Sequence, residues 1–116
     1  MHELAIVKQV IKTSVNYLEK NNANKVEEIY LHIGALNMVV EPMLSKAFDF
    51  AKRGTPCEGA ELYMSFFPVT LRCEDCGEQF RVQVKDIYTT PCPNCGQKHI
   101  KYVSGNEFFI DCIKIS

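Results

Sequence analysis

The sequence predicts an α+β fold: two helices packed on one face of a three-stranded sheet, with a small cysteine-bearing module inserted before the last strand. Three observations lead there. Apolar residues recur at helical spacing in two stretches, one near the start and one after residue 41. Three short stretches rich in β-branched and aromatic residues follow the first helix, the second helix and the cysteine module. Two Cys-x-x-Cys-Gly motifs occupy a segment with few large aliphatics, too few to support a core without a staple.

Each element has its own signal. Leu4, Val7, Ile11, Val15 and Leu18 form a helical stripe, with Lys8, Lys12 and Glu19 left to solvent. The tract "NNAN" at 21–24 stops that helix, because Asn favours turns and left-handed caps. In "VEEIYLHI", Ile29, Leu31 and Ile33 face one way while Glu28, Tyr30 and His32 face the other, the alternation of a strand with one buried face. Gly34 ends the strand. "EPMLSKAFDFAKRG" reads as the second helix: Pro42 suits the first turn, Leu44, Ala47, Phe48 and Ala51 make the stripe, Lys52 and Arg53 favour the negative end, and Gly54 supplies a C-cap. "ELYMSFF" is a second strand, and Pro68 makes it an edge or ends it. After the insertion, about Arg72 to Tyr102, "EFFIDCIKIS" gives the third strand.

Composition narrows the function. A chain of 116 residues is one ordinary domain or a small domain carrying a smaller one. A net charge of −1 argues against an electrostatically driven nucleic-acid binder. No apolar run reaches the roughly 18 residues of a membrane span. The start lacks the basic-then-apolar order of a signal peptide, so the expected location is cytoplasmic. Six cysteines there point to metal or redox chemistry before disulfides.

"CEDCG" and "CPNCG" supply the staple. Cys73 and Cys76, like Cys92 and Cys95, are separated by two residues, and fifteen residues lie between the pairs, within the range of zinc sites. Two intervening residues let a tight turn aim both sulfurs at one ion, with Zn–S distances of about 2.3 Å. Gly77 and Gly96 follow each motif, where a positive φ keeps the turn tight. Four thiolates close a tetrahedral site, which reads as structural and not catalytic. They suit a single iron as well, and "CPNCG" looks like a rubredoxin knuckle, so a rubredoxin-like electron carrier is one alternative. A zinc-ribbon module that binds nucleic acid or protein is another; Arg72, Arg81, Lys85, Lys98 and Lys101 could meet phosphates, but Glu74, Asp75, Glu78 and Asp86 are interleaved with them. Cys112, inside an apolar strand, reads as a buried thiol, and Cys57, in "GTPCEG", as an incidental loop thiol open to solvent. No nucleophile–base constellation or phosphate-cradling loop points to an enzyme.

"MHEL" opens the chain. A large second residue favours retention of Met1. Its α-amine, the His2 backbone nitrogen and the His2 imidazole can then form adjoining chelate rings, with the Glu3 amide completing a plane of four nitrogens. Such a plane suits Ni(II) or Cu(II) and disfavours tetrahedral zinc. The positive end of the first helix keeps His2 neutral, its ligating form, and Glu3 interacts well with the same dipole.

"MHEL", "IGALNMVVEP", "FDFAKRGTPCEGAELY" and the paired "CEDCG" and "CPNCG", in this order over essentially the whole chain, closely resemble the HypA/HybF family of nickel metallochaperones for nickel–iron hydrogenase maturation. The resemblance implies a carrier with a nickel-binding α/β domain (1–71 and 103–116) and an inserted zinc-binding, zinc-ribbon-like domain (72–102). Transported Ni(II) would be held by Met1, His2 and Glu3, and structural Zn(II) by Cys73, Cys76, Cys92 and Cys95. Implied partners are the GTPase HypB, the hydrogenase large-subunit precursor and urease maturation proteins, with no nucleic acid and no membrane. Glu41 of "VVEP" is the nearest match to an acidic residue associated with nickel in some members, and it reads first as a helix N-terminal residue. His99 is the only histidine near the zinc cysteines, and His32 reads as a solvated strand residue.

Overall fold

A computed structural model describes residues 3–116. Two helices, α1 (Glu3–Lys20) and α2 (Glu41–Ala51), accompany two three-stranded sheets. The first sheet has the order β2-β1-β6, from β1 (Val26–Gly34), β2 (Glu61–Phe67) and β6 (Phe108–Ile115). The second has the order β4-β3-β5, from β3 (Val69–Cys73), β4 (Gln79–Val82) and β5 (Ile100–Ser104), and lies in the chain before β6. The expected α+β class, with its insertion before the last strand, is therefore the observed one.

The chain divides into two compact units. The first runs to His32, resumes at Val39–Ser65 and closes with Phe109–Ser116. Within it α1 packs on α2. Glu3 in the first turn of α1 and Lys20 in the last complement the helix dipole. The helix ends where Asn22 turns left-handed (φ 53°), and the Asn21 amide donates to the Tyr17 carbonyl at 2.8 Å. Its buried stripe is Val7, Val10, Ile11, Ser14 and Leu18. Leu4 and Val15, expected in the core, are exposed and half-buried, because the buried line follows Val10 and Ser14 instead. Sequence patterning misses Ser14 since its hydroxyl is polar; it is satisfied by donating to the Val10 carbonyl at 2.8 Å. In α2, Pro42 sits in the first turn and Leu44 and Phe48 are buried. Its C-cap is Lys52, not the expected Gly54, which lies two residues further on in a turn with φ 73°. β2 ends before Pro68 and is also an edge strand, so both readings of that proline hold. Beside it, β1 buries Val26, Ile29 and Leu31 and turns Glu28 and Tyr30 outward.

The second unit comprises Ile33–Met38 and Phe66–Phe108. β3 is its central strand, antiparallel to both neighbours. Val69, Leu71 and Cys73 point to its buried side, and Thr70 and Arg72 to the other. The segment from the end of β1 is tied in by backbone bonds: Gly34 N–H to the Glu107 carbonyl at 2.7 Å and Leu36 N–H to the Gly105 carbonyl at 2.8 Å. The Asn37 amide spans the same junction, donating to the carbonyls of Gly34 and Glu107 at 3.0 and 2.9 Å.

Candidate metal centre

The two cysteine motifs fold as copies of one turn. In the first, Cys73 N–H donates to the Glu78 carbonyl at 2.9 Å and Gly77 N–H to the Cys73 carbonyl at 2.8 Å. In the second, Cys92 N–H donates to the Gln97 carbonyl and Gly96 N–H to the Cys92 carbonyl, both at 2.9 Å. Gly77 and Gly96 take φ values of 80° and 76°, the left-handed geometry their position demands. This repetition explains the Cys-x-x-Cys-Gly pattern: each turn folds back tightly enough to aim two sulfurs the same way.

The turns bring four sulfurs together. All four Sγ atoms lie within 4.8 Å of one another. Cys73 Sγ approaches Cys95 Sγ at 3.5 Å, and Cys76 Sγ approaches Cys92 Sγ at 3.5 Å. These separations are far beyond a disulfide bond of about 2.05 Å. A tetrahedral zinc site with Zn–S near 2.3 Å has edges of about 3.8 Å. The donor set and spacing therefore fit one tetrahedral ion. Cys73 and Cys92 are buried while Cys76 and Cys95 are exposed, so the cluster has one wet side. The Asn94 N–H points at Cys92 Sγ at 3.4 Å, spreading charge from the sulfur.

Electrostatics show what the sulfurs lack alone. A hydrogen bond from Asn94, aided by the Glu78 backbone, lowers the Cys76 thiol to about 7. At Cys95 the Gln97 backbone pulls downward, but lost solvation and the three neighbouring sulfurs push the thiol up to about 12. Crowded thiolates repel, and a divalent cation among them removes that repulsion.

The other candidate residues fall in different places. Met1 and His2 lie outside the described residues. Glu3 opens α1, half-buried. Glu41 opens α2, exposed, as a helix N-terminal residue. His99 is exposed and its Nδ1 lies 2.8 Å from Asp75 Oδ2, a partner 24 residues away that sequence spacing does not reveal. His32 is not a freely solvated residue: it is half-buried and stacks on Phe109 with ring centroids 4.4 Å apart. The expectations for the remaining thiols reverse. Cys57 is buried, and lost solvation raises its thiol although the Thr55 side chain opposes this. Cys112 is exposed beside the exposed Asp111, where the alternation of β6 slips by one residue. A loop that folds inward and a strand that breaks its period defeat patterning in opposite directions.

A small α+β protein with four cysteine sulfurs gathered at one point has the donor set of a metal-binding protein, and an ion held by all four would keep no open position for substrate. Comparison with known proteins says which kind. The HypA family profile, described as hydrogenase/urease nickel incorporation metallochaperone, matches residues 1–115. The hydrogenase maturation factor HypA of Aquifex aeolicus is 32% identical over 115 residues, covering 99% of this chain and 97% of that protein. Its counterpart in Dehalococcoides mccartyi is 35% identical, covering 99% and 94%. The solution structure of the nickel metallochaperone HypA from Helicobacter pylori superimposes with a TM-score of 0.65 at 27% identity, covering 99% of this chain and 97% of that one. A second HypA solution structure gives 0.74 at 26% identity, covering 100% and 97%. The chain belongs to the HypA family of nickel metallochaperones for hydrogenase maturation. Of the three readings open from sequence, membership selects the carrier over the electron-transfer and zinc-ribbon modules, and the family is non-catalytic.

Proposed function

We propose that the chain carries one Ni(II) at its amino terminus, through Met1, His2 and Glu3, while Cys73, Cys76, Cys92 and Cys95 hold a structural Zn(II). The observation that carries this reading is the closed sulfur cluster in a chain of a nickel-incorporation family. Cargo must enter and leave, and four thiolates within 4.8 Å of one another offer neither an open position nor the planar nitrogen field that nickel favours. Among the described residues, no second group of three His, Cys, Asp or Glu side chains lies close enough to share an ion. An amine, two backbone nitrogens and an imidazole supply the missing field. Held by the four cysteines, zinc would supply cross-linking between the two cysteine turns, fixing a lobe that has little apolar core.

The domains divide accordingly, an α/β part for nickel and an inserted part for zinc. Nickel release needs only proton return to amine, amide and imidazole, so affinity falls with pH. The recipients consistent with the family are the hydrogenase large-subunit precursor and the GTPase HypB, with urease maturation proteins as further partners, all in the cytoplasm. No helix among the described residues is long and apolar enough to cross a membrane.

Nickel titration calorimetry of the zinc-loaded chain with an unmodified amino terminus tests the site. One nickel per chain is expected. His2→Ala should lose it while zinc content and circular dichroism stay unchanged. Wild-type nickel binding by that variant would sink the assignment.

A further inference from the structure

The second sheet has two chemically different faces, and the register defines them. On one, Leu71 stands opposite Phe80 and Tyr102. On the other, Arg72 stands opposite Gln79 in β4 and Lys101 in β5, and Thr70 stands opposite Arg81. Directly opposed residues have Cβ atoms about 5 Å apart and diagonal ones about 7–8 Å. Arg81, Arg72 and Lys101 thus form a cationic line across three strands, and all three are exposed.

Among the described residues, no ion pair neutralises this line. Among the described residues Lys25, Lys52, Lys114 and His99 have carboxylate partners, and Arg72, Arg81 and Lys101 have none. The acidic residues that interleave with them in sequence stand elsewhere: Asp75 engages His99, and Glu74 and Glu78 lie in the first cysteine turn beyond the paired positions. Setting Arg72 directly opposite Lys101 is destabilising by itself. A chain of net charge −1 has carboxylates to spare, yet no paired position on this face carries one.

We propose that this face, Arg72, Arg81 and Lys101 with Gln79 and Thr70 between them, is a docking surface for an acidic polypeptide segment. Same-side residues of an extended chain repeat at about 6.8 Å, close to the diagonal spacing of Arg72 and Arg81. Two or three carboxylates of one segment can therefore reach the line together, and Gln79 and Thr70 can hydrogen-bond its polar groups. Nucleic acid fits less well: its affinity grows with the number of phosphates neutralised, and three cations on so short a face neutralise few. The surface depends on the sheet register alone, so it stands apart from the nickel assignment.

The test uses the zinc-loaded full chain and a fluorescein-labelled (Glu-Thr)5 peptide, followed by anisotropy at low and moderate salt. Saturable binding that weakens with salt is expected. Changing Arg72, Arg81 and Lys101 together to Gln should weaken it about tenfold, the combined effect of three exposed charge pairs. Changing Lys8, Lys12 and Lys20 of α1 to Gln, the same loss of charge elsewhere, should leave it within twofold. If the triple variant loses zinc, Lys101→Gln alone, in the edge strand, should still weaken binding at least twofold. The proposal is overturned by no saturable binding, by equal loss in the two triple variants, by an unchanged zinc-replete variant, or by a single-stranded DNA decamer that binds at least as tightly through the same residues.

Discussion

Replacing Gly34 with alanine should be one of the most damaging single-methyl additions in the chain. Gly34 already has φ −73° and ψ 144°, a conformation alanine adopts freely. Backbone propensity alone would therefore favour alanine by about 0.4–1 kcal/mol through the unfolded state. Sterics oppose it. An added Cβ would stand 2.2 Å from the Gly105 carbonyl oxygen and 2.4 Å from its carbon, both backbone atoms. Ordinary contact needs a separation about 1 Å greater, so the end of β1 and the bend between β5 and β6 must part. That motion stretches the Gly34–Glu107 and Leu36–Gly105 bonds, now 2.7 and 2.8 Å. Overpacking costs about 1–3 kcal/mol, and one or two weakened hydrogen bonds add about 1 kcal/mol each. The net loss is about 2–4 kcal/mol, which at a urea slope of about 2 kcal/mol/M moves the midpoint down by about 1–2 M. Urea unfolding of the zinc-loaded variant measures it. Gly59→Ala is the control, since its Cβ would meet nothing within 4 Å. A Gly34→Ala midpoint equal to or above wild type would refute the reasoning.

Other consequences are open to direct measurement. Phe48→Ala empties a core position that is 1% exposed and should cost about 3–5 kcal/mol, read from the same urea curves. Cys73→Ser should abolish stoichiometric zinc, and its amide exchange should rise through β3–β5 while α1 and α2 stay protected. Retained zinc in that variant would contradict the four-sulfur assignment. The Glu28 carboxyl is held below the usual carboxylate range first by the Tyr30 hydroxyl and then by Lys114. Its stabilising contribution is therefore present above the unfolded value and lost as pH falls through the lower folded one. Tyr30→Phe should move the Glu28 titration upward by NMR, and an unmoved titration would reject the hydroxyl as its main cause. Nickel affinity at the amino terminus should decline from pH 8 to 6, because binding there displaces protons; a flat profile would contradict that chemistry.

What the sequence made legible follows from what local chemistry fixes. The two helical stretches, Pro42 in the first turn of α2 and the alternation of β1 depend on near neighbours and appear as expected, whereas Leu4 and Val15 leave the buried stripe and Lys52 takes the cap position expected of Gly54. The cysteine pairs were the strongest signal because a metal turn is itself local: four residues and a glycine determine where two sulfurs point. Long-range pairing was not legible. The junction of Gly34, Asn37, Gly105 and Glu107 joins positions some 70 residues apart, and only a buried glycine at a strand end hints at it. Sorting Arg72, Arg81 and Lys101 from Glu74, Asp75 and Glu78 likewise requires the register of β3 with both neighbours. Cys57 and Cys112 exchanged environments because loop folding and a slipped alternation leave no trace in composition.

X-ray absorption at both metal edges of one sample, loaded with nickel and zinc and bearing an unmodified amino terminus, tests the separation of cargo from staple most directly. The nickel edge should report a planar shell of four nitrogens with no sulfur, and the zinc edge four sulfurs. Sulfur around nickel, or nickel displacing zinc from the four cysteines, would contradict the account.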